Sequence, residues 1–401
     1  MLPDAPAQAR AFFRLDPDAM ASFVRRGEPV HATLAERVRI VLMLGRPRTC
    51  VPNLLAYALG FSYTGAGGSL KTLAGALLSC CIGFAANLHN AAVELEEDSR
   101  NLPGRVWLIA QCGHRNVMWS WRVLIAAMLG TAIWLGLYFS VFMTLAIVGL
   151  HQYSAPPVRS KGRPVLGLWV FAQTVVFPFL FGWCTEPGRM LENLIAALGG
   201  PSWNGAAPSA ADAHQSFRYL GMWFFLTLWF MAKGAFKNVP DFAGDRDAGV
   251  RTSATVCGTQ RRAAVVASIA TVTAYLTLGA LVALGLETPR ALFALLWLPL
   301  VALNCLRLVR AEDGAEANSV LRADMRLSTA FLATLCLLVA PTNASLIMVG
   351  ASAMLLAASD GMGLDSRRQI DVSIPERLAA RPAQHALTQC EEPIGRDTTV
   401  R

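Results

Sequence analysis

The 401-residue chain is 54% hydrophobic but only 15% charged, and its formal net charge is +8. Soluble domains carry about 25% charged residues, so this balance excludes an ordinary soluble domain and points to a membrane protein with several spans. The basic excess lacks the patches interleaved with aromatics that a nucleic-acid partner requires; it fits the Lys/Arg-rich loops on the cytoplasmic side of a membrane protein.

Residues 1–45 read as a polar, Arg-rich N-terminal segment with a short amphipathic helix over Leu34–Leu44 and no cleavable signal peptide. Apolar spans follow at 47–66, 70–93, 117–134, 137–153, 164–184, 218–237, 262–285, 289–308 and 328–357. This predicts an all-α, polytopic bundle of nine transmembrane helices over residues 46–357 and a polar, disordered tail over 358–401. A tight turn near Gly136 separates the third and fourth spans. With the N-terminus in the cytoplasm, the cytoplasmic segments hold 25 Lys/Arg and the opposite loops hold four, Lys71, Arg189, Arg218 and Arg290. The positive-inside rule therefore sets the orientation, and nine spans leave the tail on the far side. Arg outnumbers Lys 31 to 4, which hints at GC-rich coding and a bacterial cell membrane. The nine cysteines are scattered without metal-binding spacing and read as small buried side chains.

Two acidic clusters interrupt this apolar chain. The first runs from Asn90 through Glu94, Glu96, Glu97 and Asp98 to Asn101, Pro103 and Arg105; the second runs from Lys237 through Asp241, Asp245 and Asp247 to Gly249. Carboxylates four apart share one face of a helix. A lone acidic run reads as a solvated helix end. Two runs, each following an apolar span and each on the cytoplasmic side, point instead to a shared site. Pro240 ends the preceding helix, and Gly244 and Gly249 permit tight turns.

Mg²⁺ takes hard oxygen ligands and commonly bridges a few carboxylates to substrate phosphates. A diphosphate leaves carbon only when its charge is neutralised, which two carboxylate faces with Mg²⁺ and nearby Lys/Arg could do. Ionisation of an allylic diphosphate leaves a carbocation, and apolar helices would shield it from water.

The residues carry a resemblance. Asn90, Glu94, Asp98, Asn101, Pro103 and Arg105 resemble the Asn-x-x-x-Asp-x-x-x-Asp-x-x-Asn-x-Pro-x-Arg motif of the UbiA-type intramembrane prenyltransferase superfamily. Lys237, Asp241, Gly244, Asp245, Arg246 and Gly249 resemble its second motif. Arg46-Pro47-Arg48-Thr49 and the stretch Tyr153–Lys161 resemble two weaker signatures. The resemblance covers about residues 40–357. It implies a bundle with a central cavity, in which Asn90, Glu94, Asp98, Asp241 and Asp245 bind Mg²⁺ and diphosphate. Lys161 and Arg105 become diphosphate cations, Tyr153 a neighbour of the carbocation, and Arg48 a contact for the acceptor. Asn101, Lys237 and Arg246 are further substrate-side residues.

The chain departs from the family pattern at Glu94, Ala91 and Asn238, each standing where many members carry Asp. Glu97 or Asp247 could compensate, or both are solvated surface. His89 either lines the cavity or hydrogen-bonds at a helix interface. The departures suggest a divergent member in specialised metabolism. The resemblance implies an enzyme that moves a prenyl group from an isoprenoid diphosphate to an aromatic acceptor; the alternative is a terpene cyclase without an acceptor. A transporter is disfavoured, because transporter ion sites sit at broken helices near the midplane. The lipid bilayer is the expected surrounding partner, and oligomeric state has no signature in the sequence.

Overall fold

The computed structural model describes residues 11–27, 32–64, 67–185, 210–339 and 341–366, with Ala9 and Ile195 as single positions. The N-terminal segment forms two capped helices, α1 (Pro17–Arg26) and α2 (Leu34–Gly45). Asp16 caps α1 by accepting from the Ala19 amide at 2.8 Å. Thr33 and Glu36 make a capping box on α2, with the Thr33 amide donating to Glu36 at 2.7 Å. Leu34, Val38 and Leu42 form an exposed stripe on α2, while Ile40 and Leu44 are buried, so the predicted amphipathic helix is present. Phe12, Met20 and Val24 join Ile40, Leu44 and Trp107 in a small core of their own. The leader is therefore packed onto the bundle.

The bundle is built from α3 (Val51–Ser62), α4 (Leu70–Val93), α7 (His114–Leu135), α8 (Leu137–Ser154), α9 (Pro164–Cys184), α10 (Ala210–Asn238), α12 (Gln260–Ala283), α13 (Leu298–Arg310), α14 (Gly314–Val339) and α15 (Asn343–Gly361). Short helices α5 (Leu95–Asn101), α6 (Pro103–Cys112) and α11 (Phe242–Asp247) cover one end. Seven of the described helical segments are long and apolar enough to cross a membrane: α4, α7, α8, α9, α12, the Pro289–Arg310 segment and α15. Leu73, Leu77, Ile133, Leu276, Leu296 and Ile347 are exposed on their outer faces, as expected of side chains that meet lipid. This is an integral membrane protein.

Local sequence sets the breaks. Gly136 adopts φ +127°, a conformation that glycine alone takes readily, and makes the expected turn between α7 and α8. The single span expected over 328–357 is instead two helices. Pro341 cannot continue α14, and Thr342 caps α15 by accepting from the Ser345 amide at 3.0 Å. α15 packs against α3 and α14 and extends to Gly361. Beyond it, Asp365 Oδ1 meets Arg46 Nε at 3.0 Å. The chain thus returns to the end of the bundle from which α3 departs. The opposite end is tied by Glu287, whose carboxylate accepts from the Tyr63 hydroxyl at 2.5 Å and pairs with Arg218 at 2.7 Å. Residues 367–401 of the expected tail lie outside the described residues.

Candidate active site

The first acidic motif straddles a break. Asn90 occupies the last turn of α4, Glu94 leaves helical geometry at φ −90°, ψ +37°, and Asp98 sits on the separate helix α5. The spacing had predicted one continuous face; the bend at Glu94 instead turns the carboxylates inward. Glu94 is 8% exposed, Asp98 5% and Glu97 2%. Glu94 Oε1 accepts from the Ser154 hydroxyl at 2.5 Å, and Ser154 Oγ lies 3.0 Å from Asn90 Oδ1. Pro103 starts α6, so Arg105 turns back: its Nη1 is 2.9 Å from Asp98 Oδ2 and its Nη2 donates to the Asn87 carbonyl at 3.0 Å. Glu97 pairs with Arg159.

The second motif follows α10, which ends at Asn238 just before Pro240. Asp241 stands at the start of α11, and Asp245 within it is 1% exposed. Asn238 donates to Ser253 Oγ at 2.9 Å, so the residue replacing the usual Asp braces its own loop. The two motifs touch. A Cβ added to Gly244 would come within 1.9 Å of Asn101 Oδ1, so with Asn101 in this position only glycine fits.

Lys161 joins the two motifs electrostatically. Its Nζ is 3.1 Å from Glu94 Oε2 and 3.8 Å from Asp245 Oδ1. Burial pushes the Glu94 carboxyl up, but Lys161, Lys237, Ser154 and Arg105 outweigh burial and hold it at about 2. Burial likewise opposes the Lys161 charge, yet Glu94 and Asp245 keep it well above the ordinary lysine range. For Asp245 burial wins: Lys161 lowers its carboxyl, Asp241 raises it again, and it stands at about 6.

Below these charges lies a cavity of about 430 Å³. Asn90, Glu94, Asp98, Asp241, Lys161, Lys237, Arg105, Asn101, Tyr153 and Arg48 all line it. Its deeper wall is apolar, with Leu150, Val175, Phe230, Ala333 and Val349. Asp245 lies behind the lining and reaches it through Lys161. Arg246 does not line the cavity; its side chain is 62% exposed, with Asp247 3.7 Å away. Arg48 is engaged with Asp365 at 3.1 Å and Asp360 at 3.6 Å. Glu97 lines the cavity, whereas Asp247 is an exposed surface residue. His89 is outside the lining and lies 3.1 Å from His151, at a helix interface.

The sequence profile of the UbiA prenyltransferase family matches residues 51–335. The chain belongs to this family. It is 27% identical over 234 residues to a lycopene elongase/hydratase of Corynebacterium glutamicum, a match covering 56% of this chain and 71% of the relative. Its fold is similar to that of a UbiA homologue from Archaeoglobus fulgidus bound to DMAPP and Mg²⁺, at TM-score 0.51 and 19% identity, covering 77% of this chain and 99% of the homologue. The same homologue bound to GPP and Mg²⁺ has TM-score 0.51. A structure described for digeranylgeranylglyceryl phosphate synthase is similar at TM-score 0.50 and 15% identity, covering 76% of this chain and 99% of that one.

α15 lies beyond the span matched to the UbiA family, yet Val349, Ser352, Ala353 and Leu356 on it line the cavity. Sequence reasoning missed this wall, because 328–357 read as a single span. It also missed Ser154 and Arg159, whose motif was noticed but whose partners were not. The buried pair of Lys233 and Asp324, at 2.7 Å, went unseen for a related reason: spans at 289–308 and 328–357 leave Asp324 in the segment between them, and the structure places it inside α14.

Proposed function

We propose that this UbiA-family protein catalyses Mg²⁺-dependent transfer of a prenyl group from an allylic isoprenoid diphosphate to an electron-rich carbon of an apolar acceptor. The observation that carries this reading is Lys161, which touches a carboxylate of each acidic motif at the mouth of an apolar cavity. The acceptor is an aromatic ring or a polyene. Similarity to the Corynebacterium relative, a lycopene elongase/hydratase, supports including the polyene.

The residues fit Mg²⁺. Among the described residues no three His, Cys, Asp or Glu stand close enough to hold a metal on their own. Mg²⁺ does not need such a cage, since it is usually bound by one or two carboxylates and completed by substrate phosphates. Glu97 Oε2, in the lining, and Asp245 Oδ1, just behind it, are buried without a hydrogen bond among the described residues, which leaves hard oxygen donors beside the charged end of the cavity. Asn90, Glu94, Asp98, Asp241 and Asp245 are the ligand set we assign. When bound, Mg²⁺ would neutralise the diphosphate and so make it a leaving group.

The chain's own side chains do the rest. Lys161, Arg105 and Lys237 stabilise the charge on the departing diphosphate, with Asn101 beside them. Tyr153 presents its ring to the allylic cation, and the apolar wall excludes water and holds the hydrocarbon. Arg48, pinned by Asp365, stands at the acceptor side. We place the N-terminus and the acidic end in the cytoplasm of a bacterial cell, on the excess of Lys/Arg at that end.

The test incubates membranes containing the protein with Mg²⁺ and farnesyl or geranylgeranyl diphosphate, with and without lycopene or a phenolic acceptor. Coupled product together with diphosphate release supports transfer. A volatile cyclic hydrocarbon formed without acceptor would replace transfer by cyclisation. Failure to release diphosphate under every condition would refute the reading.

A further inference from the structure

Of the carboxylates that line the cavity, Glu94, Glu97, Asp98 and Asp241 belong to the two acidic motifs, and Asp324 on α14 stands apart. Asp324 is 3% exposed and Lys233 on α10 is 7% exposed. Lys233 Nζ lies 2.7 Å from Asp324 Oδ1, and the Ser328 hydroxyl is 3.5 Å from Oδ2. The ammonium is held over three aromatic rings, Tyr275 at 5.1 Å, Trp229 at 5.7 Å and Phe236 at 5.8 Å. Lys233 is one helical turn before Lys237, about 6 Å further into the bundle. The pair thus borders the cavity on the hydrocarbon side of the diphosphate charges.

A buried ion pair is a poor stabilising device. Replacing it by apolar side chains of similar volume is often neutral or favourable. Its presence in the wall of an apolar cavity calls for a chemical reason, and the reaction supplies one. When the donor C–O bond breaks, its electron pair leaves with the diphosphate. The π electrons of the acceptor then form the new C–C bond and leave a cation on the acceptor. That cation must lose a proton from an adjacent carbon, whose C–H electrons form or restore a double bond. Glu94, Asp98 and Asp241 belong to the metal ligand set assigned above, and Glu97 is paired with Arg159 beside them at the charged end. A carboxylate paired with a lysine is a weak base, but a carbocation is so strong an acid that a weak base suffices.

We propose that Asp324, positioned by Lys233, is the base that takes this proton, which sets alkene products over alcohols. The carboxylate becomes a carboxylic acid and then returns the proton to water. Without it, the cation persists until water adds, giving an alcohol and releasing a proton. This inference rests on the prenyl-transfer reading above.

The experiment uses the full-length protein in detergent with Mg²⁺ and labelled geranyl diphosphate, with and without lycopene. It measures diphosphate release and, separately, the ratio of all alkene products to all alcohol products. Asp324→Asn is expected to release diphosphate within about threefold of wild type while the alkene-to-alcohol ratio falls about tenfold or more, since positioned proton transfer contributes at least that much. A purely structural defect would lower release and product together and leave the ratio unchanged. The apolar double variant Lys233→Met/Asp324→Leu avoids an unpaired buried charge and is expected to show the same altered ratio, whereas Lys233→Arg should keep the wild-type ratio. An unchanged ratio in Asp324→Asn or in the double variant overturns the assignment. Wild-type protein that releases no diphosphate from geranyl, farnesyl or geranylgeranyl diphosphate would overturn the prenyl-transfer reading itself, and this inference with it.

Discussion

Gly244 lies against Asn101 so closely that a methyl group at 244 would sit 1.9 Å from the Asn101 side-chain oxygen. This contact locks α11 to α5 and brings the two acidic motifs into register. Gly244→Ala therefore forces the Asn101 side chain out of its place or the two helices apart, and either disturbs the mouth of the site. The expected result is a loss of about tenfold or more in kcat/KM, on the scale of a small misplacement of catalytic groups, with normal membrane insertion. Combining it with Asn101→Ala removes the clash. A cycle in which the double variant is no worse than Asn101→Ala alone would verify the contact; full activity in Gly244→Ala would show that the register does not matter.

Lys161 is the cation shared by Glu94 and Asp245. Lys161→Met leaves both carboxylates facing each other without it and removes positive charge from the diphosphate site. We expect kcat to fall about 100-fold, the scale of losing one preorganised electrostatic contact. Lys161→Arg should recover part of the rate, because the charge remains while its shape changes. The checking measurement is diphosphate release at saturating donor.

Asp98 and Asp245 are predicted to be indispensable. Asp98→Ala or Asp245→Ala should abolish turnover while leaving insertion and helix content intact by circular dichroism. Chelation with EDTA should likewise stop diphosphate release, and added Mg²⁺ should restore it. Turnover that survives either substitution, or survives chelation, would contradict the ligand assignment.

The two acidic motifs were legible because their chemistry is local: acids four apart, followed by Pro or Gly, survive as patterns in one dimension. Their geometry was less legible. Asn90, Glu94 and Asp98 read as one helical face, yet helix α4 ends at Val93 and Glu94 is the hinge. Pro341 and Thr342 carried a helix break that the apolar runs around them concealed. Pairs such as Lys233–Asp324 and Arg48–Asp365 join residues 91 and 317 positions apart. No spacing rule reaches that far; only the packing of α10 on α14, and of α15 on α3, brings them together.

The last of these pairs makes a prediction about stability. Asp365 receives both Arg46 and Arg48, at 3.0 and 3.1 Å, and all three side chains are buried. Asp365→Ala removes the acceptor that the two guanidinium groups share. Asp360, 3.6 Å from Arg48 and partly exposed, can compensate one of them only in part. Breaking a buried pair from one side costs about 3–5 kcal/mol, so the variant should melt well below wild type in detergent. Because α15 lines the cavity through Val349, Ser352, Ala353 and Leu356, its detachment should also open the wall and raise water capture of the allylic cation. A joint measurement of melting temperature and alcohol by-product tests both consequences. A variant with unchanged melting would show that the clasp contributes little. One that melts early but yields no extra alcohol would separate the clasp's structural role from any role in sealing the cavity.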